Sequence, residues 1–434
     1  MNTTKKLIIL LLALVLPVTA FALPPYSYTN YEFEVDGIYY ILEGDEACVT
    51  FQKYENGMHV SDYHNDVIIP PQVTYQGVTY PVTIIDYYAF NYCIGLTSIT
   101  IPESITTIRD DAFWLCTGLT RVNITNIEAW CKIMMGNSNP LVYAQHLYLN
   151  GTEVTDLIIP ESITKIRNYA FEGCSGLTSV TIPNTVTSIG DNAFQGCSGL
   201  TSIIIPNSVT EIGPIAFEGC TGLTSVTLGN SVTTISHHAF SRCAGITNIE
   251  IPESVTTIGA NAFNSCTGLT GIVIPDLVTE IGNGAFYHCT GLTSLSIGKS
   301  VRTIGDNAFK NTSLIETVTC KATIPPSWGN MDMFTVNVFN HAPLHVLVGC
   351  ERAYMADTNW GQFLTIIGDV IEEQSGDVNG DGEVTVADAN NVIDIVVMGG
   401  NAGHTRAPAA DVNDDGEVNI ADMNAIIDII LSIK

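Results

Sequence analysis

The chain has 434 residues, of which 44 are Asp or Glu and only 16 are Lys or Arg, so its formal net charge is −28. Such a field repels phosphate backbones and anionic lipid surfaces, which argues against nucleic acid and membrane surfaces as partners. Hydrophobic residues make up 46% of the sequence, enough to supply a long continuous core.

The N-terminal segment has the three parts of a secretory signal. Lys5 and Lys6 form the positive start, residues 7–18 form an apolar stretch, and residues 20–22 read Ala-Phe-Ala, a small-x-small cleavage pattern. We therefore predict a Sec-type signal peptide over residues 1–22 and a secreted or cell-surface protein with no membrane insertion after its removal. The alternative is a transmembrane anchor, although the apolar run is shorter than the ~20 residues that span a bilayer.

Residues 23–80 are rich in Tyr, Val and Ile and contain the turn dipeptides Asp36-Gly37 and Gln76-Gly77. Runs of β-branched and aromatic residues between such turns favour β-hairpins. We predict a β-rich N-terminal cap over this segment.

The dipeptide Ala-Phe then returns at a constant spacing, the one that separates Phe171 from Phe194. A period of this length is typical of a solenoid, in which each coil buries its apolar face only against its neighbours. We predict a solenoid over residues 81–319, with a 35-residue insert within 123–157. The repeat phenylalanines are Phe90, Phe113, Phe171, Phe194, Phe217, Phe240, Phe263, Phe286 and Phe309.

One unit shows how a coil is built. Residues 177–182 place apolar side chains with the spacing L-x-x-L-x-L, and Pro183 ends that strand because proline cannot donate to a ladder. Residues 186–189 form a second short apolar strand, and residues 193–197 form one helical or 3₁₀ turn that carries Ala, Phe and Cys inward. We expect the strands of stacked coils to pair in parallel.

These units, such as Leu-Thr-Ser-Val-Thr-Ile-Pro at 177–183 and Ala-Phe-Glu-Gly-Cys at 170–174, resemble the BspA-like leucine-rich repeat family of bacterial surface proteins. The insert resembles a long variant repeat of that family. The resemblance implies a leucine-rich repeat solenoid, mostly β with short 3₁₀ or helical turns, on a bacterial surface. It also implies adhesion to proteins or glycans of host or bacterial surfaces, without catalysis.

Threonine forms two columns along the repeats. One interpretation is β-propensity with cross-strand hydroxyl contacts, and the other is a flat hydroxyl array that binds glycan or ice. The columns are Thr97, Thr120, Thr178, Thr201, Thr224, Thr247, Thr270 and Thr293, and Thr83, Thr106, Thr164, Thr187, Thr210, Thr233, Thr256 and Thr279.

Eight of the twelve cysteines form another column, and each of them lies three residues after a repeat phenylalanine. Stacked coils hold equivalent Cβ atoms about 4.8 Å apart, beyond the ~3.8 Å that a disulfide prefers, so we predict buried free thiols. The column cysteines are Cys93, Cys116, Cys174, Cys197, Cys220, Cys243, Cys266 and Cys289. Of the other four, Cys320 and Cys350 could form a bridge.

After Phe309 the repeat pattern becomes irregular, and Thr312 stands where the repeat has cysteine. We predict a C-terminal cap over residues 320–371. Its stretch 344–367, with Tyr354, Trp360 and Phe363, resembles the terminal cap of the same family. We interpret residues 372–376 as a linker.

The acidic C-terminal segment contains the same loop pattern twice, with one constant offset, so that Asp377 corresponds to Asp411 and Asp388 to Asp422. Oxygen-bearing side chains at loop positions 1, 3 and 5, glycine at 6 and a carboxylate at 12 are what an EF-hand-type calcium loop requires. We predict two Ca²⁺ ions. The copies are residues 377–388 and 411–422, and each precedes an apolar helical pattern.

This loop-then-helix pair with Asp at position 12 resembles a type I dockerin over residues 377–434, a small all-α calcium-binding domain that docks to a cohesin-like domain of another protein. The implied ligands are Asp377, Asn379, Asp381, Glu383 and Asp388, and Asp411, Asn413, Asp415, Glu417 and Asp422. Loop positions 10 and 11, usually Ser or Thr in cellulosomal members, are Val386, Ala387, Ile420 and Ala421, which form a candidate apolar docking face. The alternative is a calcium-stiffened module without a partner.

The sequence contains no G-x-S-x-G, H-E-x-x-H, phosphate-loop or dinucleotide motif, so we assign no catalytic residue and expect no enzyme. The leading hypothesis is a non-catalytic adhesion or binding protein tethered through its dockerin. The alternatives are a component of a carbohydrate-degrading complex attached through the dockerin, and a structural surface-layer protein without a specific ligand.

Overall fold

The computed structural model describes residues 28–55, 58–329, 333–371, 389–390, 392–393, 410, 412 and 419–432. Its main body is a β-solenoid of about 12 turns, which confirms the predicted repeat architecture. Within the described residues, no helix is long and apolar enough to span a bilayer.

The N-terminal part contains nine strands before the first regular coil. They are β1 Tyr28–Thr29, β2 Phe33–Val35, β3 Ile38–Glu43, β4 Glu46–Val49, β5 Lys53–Glu55, β6 Met58–Val60, β7 Asn65–Ile68, β8 Gln72–Tyr75 and β9 Val78–Ile85. The first coils and the insert follow. They contain β10 Leu96–Ile101, β11 Thr107–Ile108, β12 Arg121–Ile124, α1 Ile127–Lys132, β13 Met134–Met135, α2 Leu141–Ala144, β14 Leu147–Leu149 and β15 Thr152–Glu153.

The regular coils after the insert contribute two short strands each, apart from one coil that has a single strand. They contain β16 Asp156–Ile158, β17 Lys165–Ile166, β18 Ser179–Thr181, β19 Ser188–Ile189, β20 Ser202–Ile204, β21 Glu211–Ile212, β22 Ser225–Thr227, β23 Thr234–Ile235, β24 Thr257–Ile258, β25 Gly271–Ile274, β26 Glu280–Ile281, β27 Ser294–Ile297, β28 Thr303–Ile304, β29 Thr317–Cys320 and β30 Ser327–Trp328. The chain continues with α3 Val336–His341, β31 Leu344–Leu347, α4 Glu351–Ala356, a 3₁₀ turn Trp360–Gln362, β32 Ile366–Val370 and α5 Ile420–Ser432.

Two parallel ladders run along the solenoid, as predicted. In the first ladder Val180 of β18 pairs with Ile203 of β20, one repeat further on, and in the second Ile189 of β19 pairs with Ile212 of β21. We call these the first sheet and the second sheet.

The Ala-Phe segment adds a third set of bonds between coils. Within one coil, Cys197 N donates to Phe194 O at 3.2 Å, an i to i+3 turn rather than a continuous helix. Phe194 N donates instead to Ala216 O of the next coil at 2.8 Å. Asn192 has φ of +57°, a left-handed conformation that breaks the helical path at this point. The segment therefore alternates bonds within a coil and bonds between coils.

The repeat phenylalanines stack inside the solenoid. From Phe171 to Phe309 successive ring centroids lie 5.1 to 5.6 Å apart with interplanar angles of 2 to 9°. All of these rings are fully buried and belong to one core that extends from Phe33 to Phe363.

The column cysteines are buried free thiols, as predicted. Five of the thiols in the regular coils donate to a phenylalanine carbonyl of the preceding coil; Cys243 Sγ, for example, lies 3.1 Å from Phe217 O. Thr312 takes the cysteine position in the last coil, and its hydroxyl donates to Phe309 O of its own coil at 2.5 Å. Cys320 and Cys350 are also free thiols.

The insert contributes one irregular coil and a hairpin. Val122 of β12 pairs in parallel with Leu147 of β14, well beyond the usual repeat spacing, and β13 pairs with β11 in the second sheet. β15 then folds back antiparallel on β14. The core continues through this region, where Trp130 Nε1 donates to Ala170 O at 3.0 Å.

The N-terminal cap is β-rich, as predicted. The Asp36-Gly37 and Gln76-Gly77 turns have positive φ at both residues and close the hairpins β2–β3 and β8–β9. Such paired left-handed conformations suit the twist of a two-residue hairpin. β7 and β4 already pair in parallel with β10 and β9.

At the other end β31 and β32 extend the first sheet, and the segments between them cover its last coil. Tyr354, Trp360 and Phe363 of this segment are buried there. The Tyr354 hydroxyl donates to Ala322 O and the Trp360 indole to Pro326 O, both at 2.7 Å.

Candidate functional site

The second acidic loop ends on a buried carboxylate at the start of α5. Asp422, at loop position 12, is fully buried. Its two carboxylate oxygens accept hydrogen bonds from Val412 N and Asn419 N, both at 2.8 Å. These donors occupy loop positions 2 and 9, so the carboxylate draws the beginning and the end of the loop together. A buried carboxylate that bonds to both ends of an acidic sequence segment fits a hard cation such as calcium.

The helices that follow the two loops pack together through equivalent positions. Val392 and Ile426, which correspond to each other in the two copies, are both fully buried in one small cluster. Their neighbours Ile393 and Ile427 remain 42% and 39% exposed. The duplicated sequence therefore forms a duplicated environment, with the same position buried and the next one facing solvent in both copies.

Of the candidate docking residues, the structure describes Ile420 and Ala421. Both are exposed, and Ile420 retains 64% of its accessible surface although it is a large apolar residue. They lie in the first turn of α5, directly before the buried Asp422. Ala421 N donates to Asn419 Oδ1 at 2.8 Å, which fixes the start of the helix.

The other predicted site residues lie outside the described part of the chain, so their ligand and docking roles stay predictions. They are Asp377, Asn379, Asp381, Glu383, Val386, Ala387, Asp388, Asp411, Asn413, Asp415 and Glu417.

Asn419 is one residue that the sequence reasoning did not select. It occupies loop position 9, which is often a ligand position in loops of this type, so its place in the spacing was a usable signal. The equivalent position in the first loop is Thr385.

The solenoid presents a second candidate surface, the outward side of the first sheet. We call it the first-sheet face; its outward residues flank the buried Leu157, Val180, Ile203, Val226, Ile249, Ile272 and Leu295. It consists mainly of small polar side chains with a few exposed apolar ones, among them Ile158, Ile204 and Val273. Its charged residues in these coils are Asp156 and Glu250.

The threonine columns use their hydroxyl donors internally. Thr201 Oγ1 donates to Thr178 O of the preceding coil at 3.2 Å, and the second column repeats the arrangement between Thr210 and Thr187 at 3.4 Å. Hydroxyl contacts between coils were one of the two predicted interpretations. The acceptor is the backbone carbonyl, however, and not a neighbouring hydroxyl.

The sequence was compared with protein-family models, curated proteins and solved structures. The model of the BspA type leucine rich repeat region matches in six copies at residues 72–135, 144–270 and 257–329. The model of the dockerin type I domain matches residues 375–431, and type I dockerin domains bind calcium and dock to cohesin-type partners. No curated protein matches the chain significantly.

Several crystal structures are similar to the chain. A leucine rich cell surface protein from Faecalibacterium prausnitzii is 24% identical, with 78% of this chain and 98% of that chain covered and a TM-score of 0.46. A leucine-rich repeat protein from Bacteroides ovatus is 26% identical, with 74% and 87% covered and a TM-score of 0.46. The pneumococcal vaccine antigen PcpA is 17% identical, with 78% and 98% covered and a TM-score of 0.39.

The two family models cover separate stretches of the sequence, and the repeat model alone matches more than half of it. Its matches coincide with the coils whose ladders and phenylalanine stack are described above. The chain therefore belongs to the BspA type leucine rich repeat family and carries a type I dockerin domain near its C-terminal end.

Proposed function

We propose that this is a secreted or cell-surface, non-catalytic binding protein. Its solenoid binds a protein or glycan of a host or bacterial surface, and its dockerin domain docks, with two calcium ions bound, to a cohesin-like partner. The observation that carries the proposal is the exposed apolar Ile420 beside the buried Asp422.

Calcium links these two residues physically. The ligands that we assign to the ions are the residues at positions 1, 3, 5, 7 and 12 of each loop, and a bound ion neutralises their mutual repulsion. Asp422 lies in the first turn of α5, so the order of its loop fixes the helix start that presents Ile420 and Ala421. A partner that contacts this turn therefore binds the calcium-loaded domain in preference to the empty one.

The proposed docking face is apolar and duplicated. The first copy supplies Val386 and Ala387 at the positions where the second supplies Ile420 and Ala421. Aliphatic residues at the centre of an interface bind through burial of apolar surface. We infer that the cohesin-like partner has an apolar surface where it contacts these four residues. A cohesin that binds a dockerin with serine or threonine at these positions would instead present polar groups there.

The solenoid surface supports binding in place of catalysis. The first-sheet face repeats the same short pattern from coil to coil, and an extended regular surface of this kind suits a long ligand. The hydroxyl donors of its threonine column point to the backbone of the preceding coil, so glycan binding would depend on other groups. We therefore favour a protein ligand for the first-sheet face, bound through exposed apolar residues such as Ile204.

Docking is tested by passing the full-length protein over immobilised type I cohesin domains in calcium and in EGTA. We expect capture in calcium, loss of capture in EGTA, and weaker capture of Asp422→Ala and of the double variant Val386→Asp with Ile420→Asp. Ile204→Asp, on the solenoid, is the matched control and should be captured normally. Equal recovery in calcium and EGTA, or no capture by any cohesin, overturns the docking proposal.

The same dockerin match favours one second candidate, attachment to a carbohydrate-degrading complex. In that case the native partner carries other dockerin-bearing proteins that cleave polysaccharides. Isolation of the native complex followed by a polysaccharide panel distinguishes the candidates. Glycan cleavage by the complex and not by the purified chain supports membership, whereas cleavage by neither supports a purely adhesive role.

A further inference from the structure

We infer that the solenoid binds an extended, acidic peptide segment of a partner protein in a cleft between β13 and β17, where one strand is missing from the second sheet. This inference specifies one binding site of the proposed solenoid function and rests on it. It starts from how the two sheets are interrupted at the insert.

The chain closes the interruption of the first sheet by itself. β15 pairs antiparallel with β14, and Val154 N donates to Leu147 O at 2.8 Å. The exposed edge of β14 is thus covered by a strand of the same chain.

Among the described residues, no strand covers the second sheet in this way. In this part of the chain β13 pairs with β11 and β17 pairs with β19, so the two strands end separate sheets. Both edges carry backbone groups that would bond to a neighbouring parallel strand. An open edge of this kind is a template for strand addition.

The regular coils show which groups these are. Thr187 N donates to Thr164 O and Gly190 N to Ile166 O, both at 2.8 Å. One coil earlier, the equivalent donors are the backbone N–H groups of Thr164 and Arg167. Among the residues that the structure describes, neither of these two N–H groups has a hydrogen-bond acceptor.

The opposite wall offers the matching acceptor. Ile108 O accepts from Gly136 N at 2.7 Å, and one coil later the equivalent carbonyl is that of Met135. Within the described chain the Met135 carbonyl has no donor, so a carbonyl edge faces an N–H edge across the gap. A polypeptide parallel to both strands supplies what each edge lacks, because a strand has donors on one side and acceptors on the other.

The space between the walls belongs to a cleft of about 740 Å³ that also extends over β19 and β21. This volume is within the range of ligand sites, and the two-residue strands on its walls limit the pairing to about three residues. Met134 and Met135 line one wall and Thr164, Lys165 and Arg167 the other. Met134 is 54% exposed, although the corresponding position is polar in the coils that follow the insert.

The charges at the cleft favour acidic side chains on the peptide. Lys132, Lys165 and Arg167 line it in a chain with only 16 basic residues. Lys132 pairs with Glu128 at 2.5 Å, whereas Lys165 and Arg167 make no ion pair within the described residues. Asp191 and Glu211 also line the cleft, but they lie one and two coils further along the second sheet. Acidic side chains next to β17 are therefore favoured.

The test measures binding of three acetylated, amidated seven-residue peptides to the full-length protein in calcium. One peptide alternates Glu and Val, the second alternates Lys and Val, and the third is the Glu-Val peptide with alternate amides N-methylated. We expect the Glu-Val peptide to bind at least about tenfold more tightly than the other two, because only it offers both backbone pairing and the right charge. Hydrogen exchange should show the Thr164 and Arg167 amides becoming protected.

The double variant Lys165→Glu with Arg167→Glu should weaken Glu-Val binding by at least about tenfold. The control variant, Arg302→Glu with Lys310→Glu, makes the same charge change at a distant coil and should leave the affinity within about twofold. An unchanged urea midpoint of the solenoid verifies that both variants are folded. Normal capture of both variants by cohesin domains separates a failure of this site from a failure of docking.

Three results overturn the inference. They are absence of Glu-Val binding, equal binding of the N-methylated peptide, and protection of the same amides by polygalacturonate but not by the peptide. The last result would assign the cleft to acidic glycans instead.

Discussion

At the scale of single residues, the column cysteines are structural hydrogen-bond donors. Each of the five thiols that donate to a phenylalanine carbonyl links two coils, because the phenylalanine lies 26 residues earlier in the chain. Burial raises the pKa of Cys174, Cys220 and Cys289 to about 12. Since the thiolate is the reactive form, these side chains are chemically inert in the folded protein.

We therefore predict that a thiol reagent modifies one cysteine of the native protein rapidly and the other eleven only after unfolding. The rapid one is Cys350, the only cysteine that is partly exposed. Counting modified thiols by mass spectrometry at about pH 8, with and without denaturant, checks this. Cys350→Ser should remove the rapid phase. Several rapid thiols, or disulfide-linked peptides in the unreduced protein, would contradict the prediction.

Glu172 gives the solenoid a pH dependence at the insert. Burial raises the pKa of its carboxyl group to about 7, and the hydrogen bond from Asn139 Nδ2, at 3.0 Å, lowers it only in part. The unfolded chain has the ordinary pKa of 4.5 and releases this proton first. The contribution of Glu172 to stability is therefore fully present below pH 4.5, falls as the pH rises from 4.5 to about 7, and is lost above about pH 7.

Glu172→Gln removes the ionisable group. Above pH ~7 it should raise the free energy of unfolding by on the order of 1 kcal/mol, with little effect near pH ~4. Unfolding curves of both proteins at several pH values, all in calcium, measure the difference. Glu161→Gln is an exposed control on the same coil. A gain from Glu172→Gln that is equal at both pH values would show that its carboxyl does not titrate in this window.

At the scale of elements, the phenylalanine stack is the most regular contact between coils. The Phe240 ring lies 5.3 Å from Phe217 and 5.6 Å from Phe263 and is completely buried. Truncation to alanine removes both contacts and leaves a cavity that the stacked backbones cannot close.

Phe240→Ala should cost about 3 to 5 kcal/mol, whereas Ile204→Ala on the exposed first-sheet face should change stability by less than about 0.5 kcal/mol. Because each coil contacts only its neighbours, the damage should also divide the solenoid into two cooperative units. Urea unfolding followed by hydrogen exchange of the two halves tests both effects. A single transition with an unchanged midpoint would rule out the stack as the main link between coils.

The regular elements were predictable and the irregular ones were not. The constant repeat spacing fixes which side chain of each coil points inward, so the strands, the buried cysteine column and the phenylalanine core follow from one unit. The insert has no period. Its α1 and α2, its irregular coil and the open edge of β17 arise from how far the chain must travel to rejoin the stack. Local propensity does not encode that distance.

The same contrast applies to the candidate site. The spacing of the duplicated loop predicted Asp422 as its last carboxylate, because calcium requires particular positions. It did not predict that the side chain would be buried and bonded to Val412 and Asn419, since those contacts depend on the folded path of the loop. The cleft at β13 and β17 joins residues far apart in sequence through an absent strand, and composition alone gives no signal for it.

At the scale of the whole molecule, the solenoid and the dockerin domain differ in what holds them together. The solenoid is stabilised by backbone ladders and one continuous apolar core. Within its described residues, one cluster of Glu43, Cys48 and Asp86 has the spacing of a metal site. Arg109 already pairs with its two carboxylates, at 2.7 Å from Glu43 and 2.8 Å from Asp86, so this cluster has its cation.

The described residues of the dockerin domain form one small apolar cluster, which contains residues from the two helical segments. Acidic side chains in each loop repel one another without a cation, so we expect folding of this domain to be coupled to calcium binding. We predict that EGTA removes hydrogen-exchange protection from residues 376–434 and leaves the solenoid amides unchanged. Asp411→Ala with Asp415→Ala should reproduce the loss in calcium, whereas Asp191→Ala, in the solenoid, should not. Equal loss of protection in both regions would mean that calcium supports the solenoid as well, and separate stabilisation of the two parts would then be wrong.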